Sequence, residues 1–424
     1  MNLRDLVNFV RRHSVYYREL YAHLPTELPS SQVDLLRLLP VIDSTSYWAA
    51  NGLEDNRVLT SELSDGIVFK SGGTTGAPKF SVFSRKEWSH FCESFARGLV
   101  AGGLKEGERI ANLFYAGELY ASFLFILKSF ESAPLKSLHL PLTGSASTES
   151  VLKTLSDLKA TTLVGTPTMI LQLAEAAHAQ NLQFPALRRI LYGGESLYDD
   201  QRQRLLELFP NVVVRSIGYA SVDAGLLGYA DESCRGDEHR AFGLETIYEI
   251  LDEHTLEPID EVGITGKAFV TYLDRRLMPI IRYPVGDRAQ WVDDAGVLDR
   301  RFRLLGRSEE AARVGPCSVY YDDIHDAFAA AQANDERYLM AGFQLVIHHF
   351  EKRDQLTLRL SPSHPGLFEE DWVRTLLAAR PMLRDEWEKG NIHPPRVELV
   401  SYQHLEKNPR TGKIKRVIDL RKSP

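Results

Sequence analysis

Cysteine is scarce: the 424 residues contain three, Cys92, Cys234 and Cys317. Thiols so few and so dispersed make neither a disulfide framework nor a zinc site, and a reducing compartment is the simplest setting. Long apolar runs are also missing. None approaches the roughly 20 residues that a membrane-spanning helix needs. The opening stretch, MNLRDLVNFVRRHSVYYREL, lacks the apolar core of a signal peptide. Both features point to a cytoplasmic chain. Nor is there an excess of base: 50 Lys and Arg stand against 57 Asp and Glu, a net charge of -7. That balance carries no nucleic-acid footprint. No internal repeat and no low-complexity tract interrupts the chain.

With 44% apolar and 25% charged residues, the chain reads as globular and ordered, and its length exceeds one ordinary core. Apolar spacing predicts a helix over 2–22, then a Pro-rich connector over 25–40. From about 64 to 230, short apolar runs (67–69, 109–115, 161–165, 188–194, 211–220) alternate with helical patterns (86–101, 118–130, 148–158, 167–179, 199–208). That alternation implies a largely parallel sheet covered by helices. After about 226 the pattern turns β-rich with intervening turn residues, as an antiparallel subdomain would. Beyond about 306–309, a helical stretch (321–331), two strands (343–349, 355–360), a second helix (369–389) and a last strand (396–402) make a compact α+β unit. The fold class expected is α/β: a large domain over 1–306 of helix-covered sheets plus a β-rich subdomain, and a small α+β domain over 307–424.

The sharpest local feature is Ser71-Gly72-Gly73-Thr74-Thr75-Gly76-Ala77-Pro78-Lys79. Glycines let backbone approach closely, hydroxyls and N–H groups donate to phosphate oxygens, and Lys79 adds positive charge. It is not a Walker loop, because Pro78 precedes the lysine and Phe80 follows it. A plain Gly/Ser/Thr turn between strands is the bland alternative. Four further segments follow in order: Tyr219-Ala220-Ser221-Val222-Asp223; Arg282-Tyr283-Pro284-Val285-Gly286-Asp287; Leu305-Gly306-Arg307-Ser308-Glu309-Glu310; and Asn408-Pro409-Arg410-Thr411-Gly412-Lys413.

Together these segments resemble the motif series of the ANL superfamily of adenylate-forming enzymes, and most of all its phenylacetate–CoA ligase branch; the adenylating enzymes of phenazine antibiotic biosynthesis are another look-alike. The resemblance implies a cytoplasmic ligase of the acyl-CoA synthetase type. It would use ATP and Mg²⁺ to turn a carboxylic acid into an acyl-adenylate, then pass the acyl group to a thiol. It makes Ser71, Gly72, Gly73, Thr74, Thr75, Gly76 and Lys79 the phosphate loop, Tyr219 the adenine platform and Asp223 the Mg²⁺ ligand. Asp287 becomes the ribose ligand, a carboxylate being suited to a vicinal diol. Arg307 becomes a ribose or phosphate contact, Glu309 the hinge of a mobile small domain, and Lys413 the catalytic lysine which that domain carries. Val222, Asp223, Pro284 and Val285 depart from the family pattern. Gly194 and Glu195, at the end of a predicted strand, fall near the nucleotide. Phe114, Tyr115 and Gly117 fall where the family lines its acyl pocket, and their aromatic character implies an aryl substrate. The acceptor is coenzyme A, the phosphopantetheine of a carrier protein, or an amine. Neither nucleic acid nor membrane is implied, and the assembly is a monomer or homodimer. Two alternatives stand beside this reading: an acyl-protein synthetase using an enzyme cysteine, and a non-catalytic nucleotide-binding relative.

Overall fold

The computed structural model describes residues 2–52, 54–71, 79–307, 311–363, 366–407 and 414–421. Among them, five strands form a parallel sheet, Leu138–Pro141, Arg109–Asn112, Thr162–Gly165, Arg189–Tyr192 and Val213–Ser216 in spatial order. Side chains alternate across a strand, and here they alternate between two cores. Ile110, Val164 and Leu191 face one core, shared with the helices Arg85–Ala101 and Ser122–Ser132. Ala111, Leu163 and Ile190 face the other, shared with Thr148–Asp157, Pro167–Ala179 and Asp199–Leu208. Burial on both faces explains why these strands read as apolar runs.

Seven further strands among the described residues form an antiparallel sheet, in the order Thr246–Leu251, Thr265–Tyr272, Ile280–Trp291, Arg301–Arg307, Glu238–Ala241, Gly225–Tyr229 and Tyr219–Ser221. The β-rich subdomain expected after residue 226 is thus present. The apolar run 211–220 is not one strand, however. It leaves the parallel sheet at Ser216 and joins the antiparallel one at Tyr219, with Gly218 N donating to the Ser216 hydroxyl at the crossover.

The amino-terminal segment differs from expectation in two places. The 2–22 helix is two helices, Leu3–His13 and Val15–Leu20, broken at Ser14, whose hydroxyl accepts from Tyr17 N at 3.4 Å and caps the second. The connector contains a helix, Gln32–Leu38, capped by Ser31. A further helix, Ser44–Ala50, is capped by Asp43. These helices are tied to the strand Ile280–Trp291. The Tyr17 and Tyr47 hydroxyls donate to the Pro279 carbonyl at 2.8 and 2.9 Å. Trp48 Nε1 donates to Tyr283 Oη at 2.9 Å, and Ile42 N donates to Arg282 O at 3.0 Å.

The carboxy-terminal residues build a core of their own, in which Phe328, Phe343, Ile347, Leu356 and Trp372 are buried together. It lies between the helices Tyr321–Gln332 and Glu369–Ala379 and a mixed four-stranded sheet in the order Arg396–Leu399, Arg353–Pro362, Met340–Phe350, Val417–Asp419. Each such apolar side chain contributes roughly 1.5–3 kcal/mol. The helix expected over 369–389 is broken before Pro381, where Arg380 takes an extended φ of -129°, the conformation that a following proline favours. A short hairpin of Ala311–Val314 and Cys317–Tyr320 packs into this core through Ala312, Val314, Cys317 and Val319.

Candidate active site

The strands Gly66–Ser71 and Lys79–Ser84 pair antiparallel, with Ser71 opposite Lys79. Gly72, Gly73, Thr74, Thr75 and Gly76 connect them and lie outside the described residues, as do Glu309, Lys413 and the Arg307 side chain. Both flanks of the loop converge on one carboxylate. The Ser71 hydroxyl lies 2.6 and 2.7 Å from the two oxygens of Asp223, and Ser81 Oγ donates to Oδ1 at 2.9 Å. Lys79 Nζ stands 5.4 Å from the Trp48 ring.

Asp223 is held in place from beneath by Arg275. That guanidinium has no exposed surface. Its Nη1 donates to the carbonyls of Val222 at 2.8 Å and Asp223 at 3.0 Å, and it lies 4.1 Å from the Phe83 ring. A cation so buried needs such partners to offset its lost hydration. Neither Ser81 nor Arg275 is singled out by any motif.

Four residues before Asp223, the Tyr219 hydroxyl donates to Asp287 Oδ2. Strand pairing sets Asp287 opposite Arg307, so the second, third and fourth motifs adjoin one another. The Tyr219 ring lies 5.7 Å from His239 and 6.2 Å from Phe302. Burial pushes the His239 imidazole down to about 4, so it is neutral at pH 7. Its Nε2 pairs with Ser216 Oγ at 2.9 Å.

On the far side of the parallel sheet's carboxyl edge, Gly193 packs where a side chain has no room: a Cβ there would lie 2.7 Å from Ile217 and 3.6 Å from Phe114. Phe114 is buried, at 5% exposure, whereas Tyr115 is 46% exposed and stands edge-on to Tyr120 at 5.7 Å. Gly117 bridges to Tyr120. Only Phe114 of these three is thus seated beside the 193–195 turn. Thr168 Oγ1 donates to Glu195 Oε2 at 2.5 Å, while Glu195 Oε1 is buried without a hydrogen-bond partner. Desolvation outweighs the hydrogen bonds of Thr168 and Thr166 and the charge of Arg313, and pushes the Glu195 carboxyl up to about 7.

Residues 67–267 match the family model described as AMP-binding enzyme. That match covers slightly under half of the chain. Among similar sequences, the phenylacetate–coenzyme A ligase of Thermus thermophilus is 23% identical, over 70% of this chain and 66% of that protein. The indoleacetate–lysine synthetase of Pseudomonas savastanoi is 26% identical over 65% of this chain and 64% of that protein. The chain therefore spans slightly under two thirds of these relatives' lengths. Among solved structures, 2-hydroxyisobutyryl-CoA ligase in its thioesterification state superposes with a TM-score of 0.74 at 21% identity, covering 99% of this chain and 88% of that one. The same ligase in its postadenylation state gives 0.63. The AMP-binding match begins within the first strand of the Ser71 hairpin and runs past Tyr219 and Asp223.

Proposed function

We propose that this chain activates a small aromatic carboxylic acid with ATP, releasing pyrophosphate, and then passes the acyl group from the acyl-adenylate to the thiol of coenzyme A. The observation that carries this reading is the convergence of distant segments. Ser71 meets Asp223, Tyr219 meets Asp287, and Asp287 adjoins Arg307. The aromatic preference rests on Phe114 beside Gly193 and on the aryl acids in the relatives' names.

In this reading Asp287 receives the ribose hydroxyls, Tyr219 stacks on adenine, and the loop after Ser71 cradles the triphosphate. Asp223 holds Mg²⁺. Among the described residues no three His, Cys, Asp or Glu side chains group as a metal cage, and a single carboxylate suits a magnesium that takes its other ligands from phosphates and water. Bound there, Mg²⁺ would supply charge neutralisation at the triphosphate. Ser71 and Ser81 orient the Asp223 oxygens, and Arg275 fixes their height. Lys413 would act between the carboxylate and the α-phosphate, where negative charge gathers in the transition state.

Residues 307–424 act as a mobile domain hinged at Glu309. Their separate core supports this, as does the closer superposition on a thioesterification state than on a postadenylation state. An acyl-protein synthetase would need a low-pKa cysteine. Here burial pushes Cys92 and Cys317 up to about 12 and Cys234 up to about 11.

Acid-dependent exchange of labelled pyrophosphate into ATP tests the reading, with aryl and alkyl acids as substrates. No exchange with any acid would leave a nucleotide-binding protein without catalysis. The variant Lys413→Ala is expected to lose about 10²–10³ in exchange, the loss typical of one transition-state contact. It should transfer preformed acyl-adenylate to coenzyme A at close to the native rate. Near-native exchange in that variant would remove Lys413 from the chemistry.

A further inference from the structure

The crossover between Ser216 and Tyr219 carries the chain from the parallel sheet to the antiparallel one, and a proton count shows how it is held. The Asp237 carbonyl, 3.2 Å from His239 Nδ1, can only accept, so Nδ1 carries the proton of the neutral imidazole. Nε2 is then a lone pair, and it accepts from the Ser216 hydroxyl at 2.9 Å. The Gly218 carbonyl, at 3.4 Å, is the longer alternative for that hydroxyl. With its proton turned to His239, Ser216 Oγ accepts from Gly218 N at 3.2 Å. His239 and Ser216 are both buried, so losing either partner leaves a polar atom that water does not readily reach. One imidazole thus fixes the rotor of Ser216 and, through it, the peptide leading into Tyr219.

The same imidazole packs against the Tyr219 ring. His239 pairs with Phe302 across neighbouring strands, and their rings lie 6.0 Å apart with planes inclined by 27°. Tyr219 is 5.7 Å from the first and 6.2 Å from the second. Gly228 is what lets three rings from three strands meet. It lies opposite Tyr219 in the sheet, and a Cβ there would come within 2.8 Å of His239 Cβ and 3.0 Å of Phe302 Cζ.

We propose that His239 is a positioning residue for the nucleotide: through Ser216 and its ring contact it sets the place of Tyr219, on which adenine stacks. This rests on the reading of Tyr219 given above. The Tyr219 hydroxyl is held separately, by Asp287. The platform is therefore fixed at two ends, at its hydroxyl by the ribose carboxylate and at its backbone by His239. Cutting the second tie leaves the ring in the site but lets it shift. The loss falls on nucleotide binding, not on acid binding or turnover.

The test measures AMP binding by titration calorimetry, and kcat with KM for ATP and for the acid by pyrophosphate exchange. It compares the native chain with His239→Leu, His239→Gln, Ser216→Ala and the double variant His239→Leu/Ser216→Ala. His239→Leu should weaken AMP binding and raise KM for ATP roughly 3–10-fold, the worth of one buried hydrogen bond. KM for the acid and kcat should stay within about twofold of native. Ser216→Ala should show the same split, and it reads the same bond even if His239→Leu does not fold. The double variant should lose no more than the worse single one, because both cut one bond. His239→Gln, whose amide oxygen can accept from Ser216, should recover most of the AMP affinity. Native AMP affinity in both His239→Leu and Ser216→Ala would overturn the proposal. So would additive losses in the double variant, or equal losses in kcat and both KM values, the mark of a purely structural residue. A native chain that binds no AMP would instead defeat the reading of Tyr219 as the adenine platform.

Discussion

Arg275 and Asp223 show how one carboxylate is placed by a residue that never meets the substrate. The guanidinium is fully buried and spends its Nη1 protons on the carbonyls of Val222 and Asp223. Hydrogen bonds from a charged donor are worth about 1.5–3 kcal/mol. Arg275→Met is therefore expected to lower the unfolding free energy by about 2–4 kcal/mol in urea titration, and to lower exchange as the Asp223 loop loses its support. Asp223→Asn separates place from charge. It should unfold like the native chain, yet need about tenfold more Mg²⁺ for half-maximal exchange, as loss of a charged ligand to a hard cation implies. Should its Mg²⁺ dependence match the native curve, Asp223 is not the ligand.

At the scale of elements, the turn after Asp223 depends on a residue without a side chain. Gly225 has φ +89°, and a Cβ there would meet Tyr272 Cδ1 at 2.5 Å, at the end of the strand Thr265–Tyr272. Gly225→Ala adds left-handed strain to a steric clash, each of order 1–3 kcal/mol. It should lower the thermal midpoint by several degrees and weaken exchange; an unchanged midpoint would show that the sheet yields there. The same elements show what was legible before the structure. Strands buried on both faces announce themselves as apolar runs, and the helices Pro167–Ala179 and Asp199–Leu208 lie where periodicity sets them. Short elements without that signal escaped. The strand Leu138–Pro141 is four residues at a sheet edge, ending in a proline that an edge tolerates. The helices Gln32–Leu38 and Ser44–Ala50 are too short for a period, although Ser31 three before Asp34 and Asp43 three before Ser46 were usable capping signals. In the site, Tyr219, Asp223 and Asp287 could be singled out in advance because motifs are local, and their hydrogen bonds join distant segments. Ser81 and Arg275 could not, since each matters through a partner 142 or 52 residues away.

For the whole molecule, the carboxy-terminal unit meets the parallel-sheet helices through polar contacts. The hairpin of Met340–Phe350 and Arg353–Pro362 turns at Glu351 and Lys352, both left-handed at φ 46° and 65°. Its tip rests on the helices Pro167–Ala179 and Asp199–Leu208. Gln201 Nε2 donates to Lys352 O at 3.0 Å, Lys352 Nζ lies 3.8 Å from Glu175, and the Tyr198 and His349 rings are 4.1 Å apart. Bonds of about 0.5–1.5 kcal/mol each hold a pose without locking it. Gln201→Ala combined with Glu175→Ala should slow transfer up to about tenfold while sparing exchange, which uses another pose. Equal slowing of both would mean the contact is not specific to one. At the other end of the chain, Tyr17 and Tyr47 reach a carbonyl 262 and 232 residues downstream. At about 5–20 residues per second on the ribosome, the Pro279 that receives Tyr17 is made roughly 13–50 s later. For that interval the nascent helices hold an aromatic face with nothing to close upon. The helices Leu3–His13 to Ser44–Ala50 are thus sealed only after the strand Ile280–Trp291 is made, and they are where a chaperone's grip would matter most.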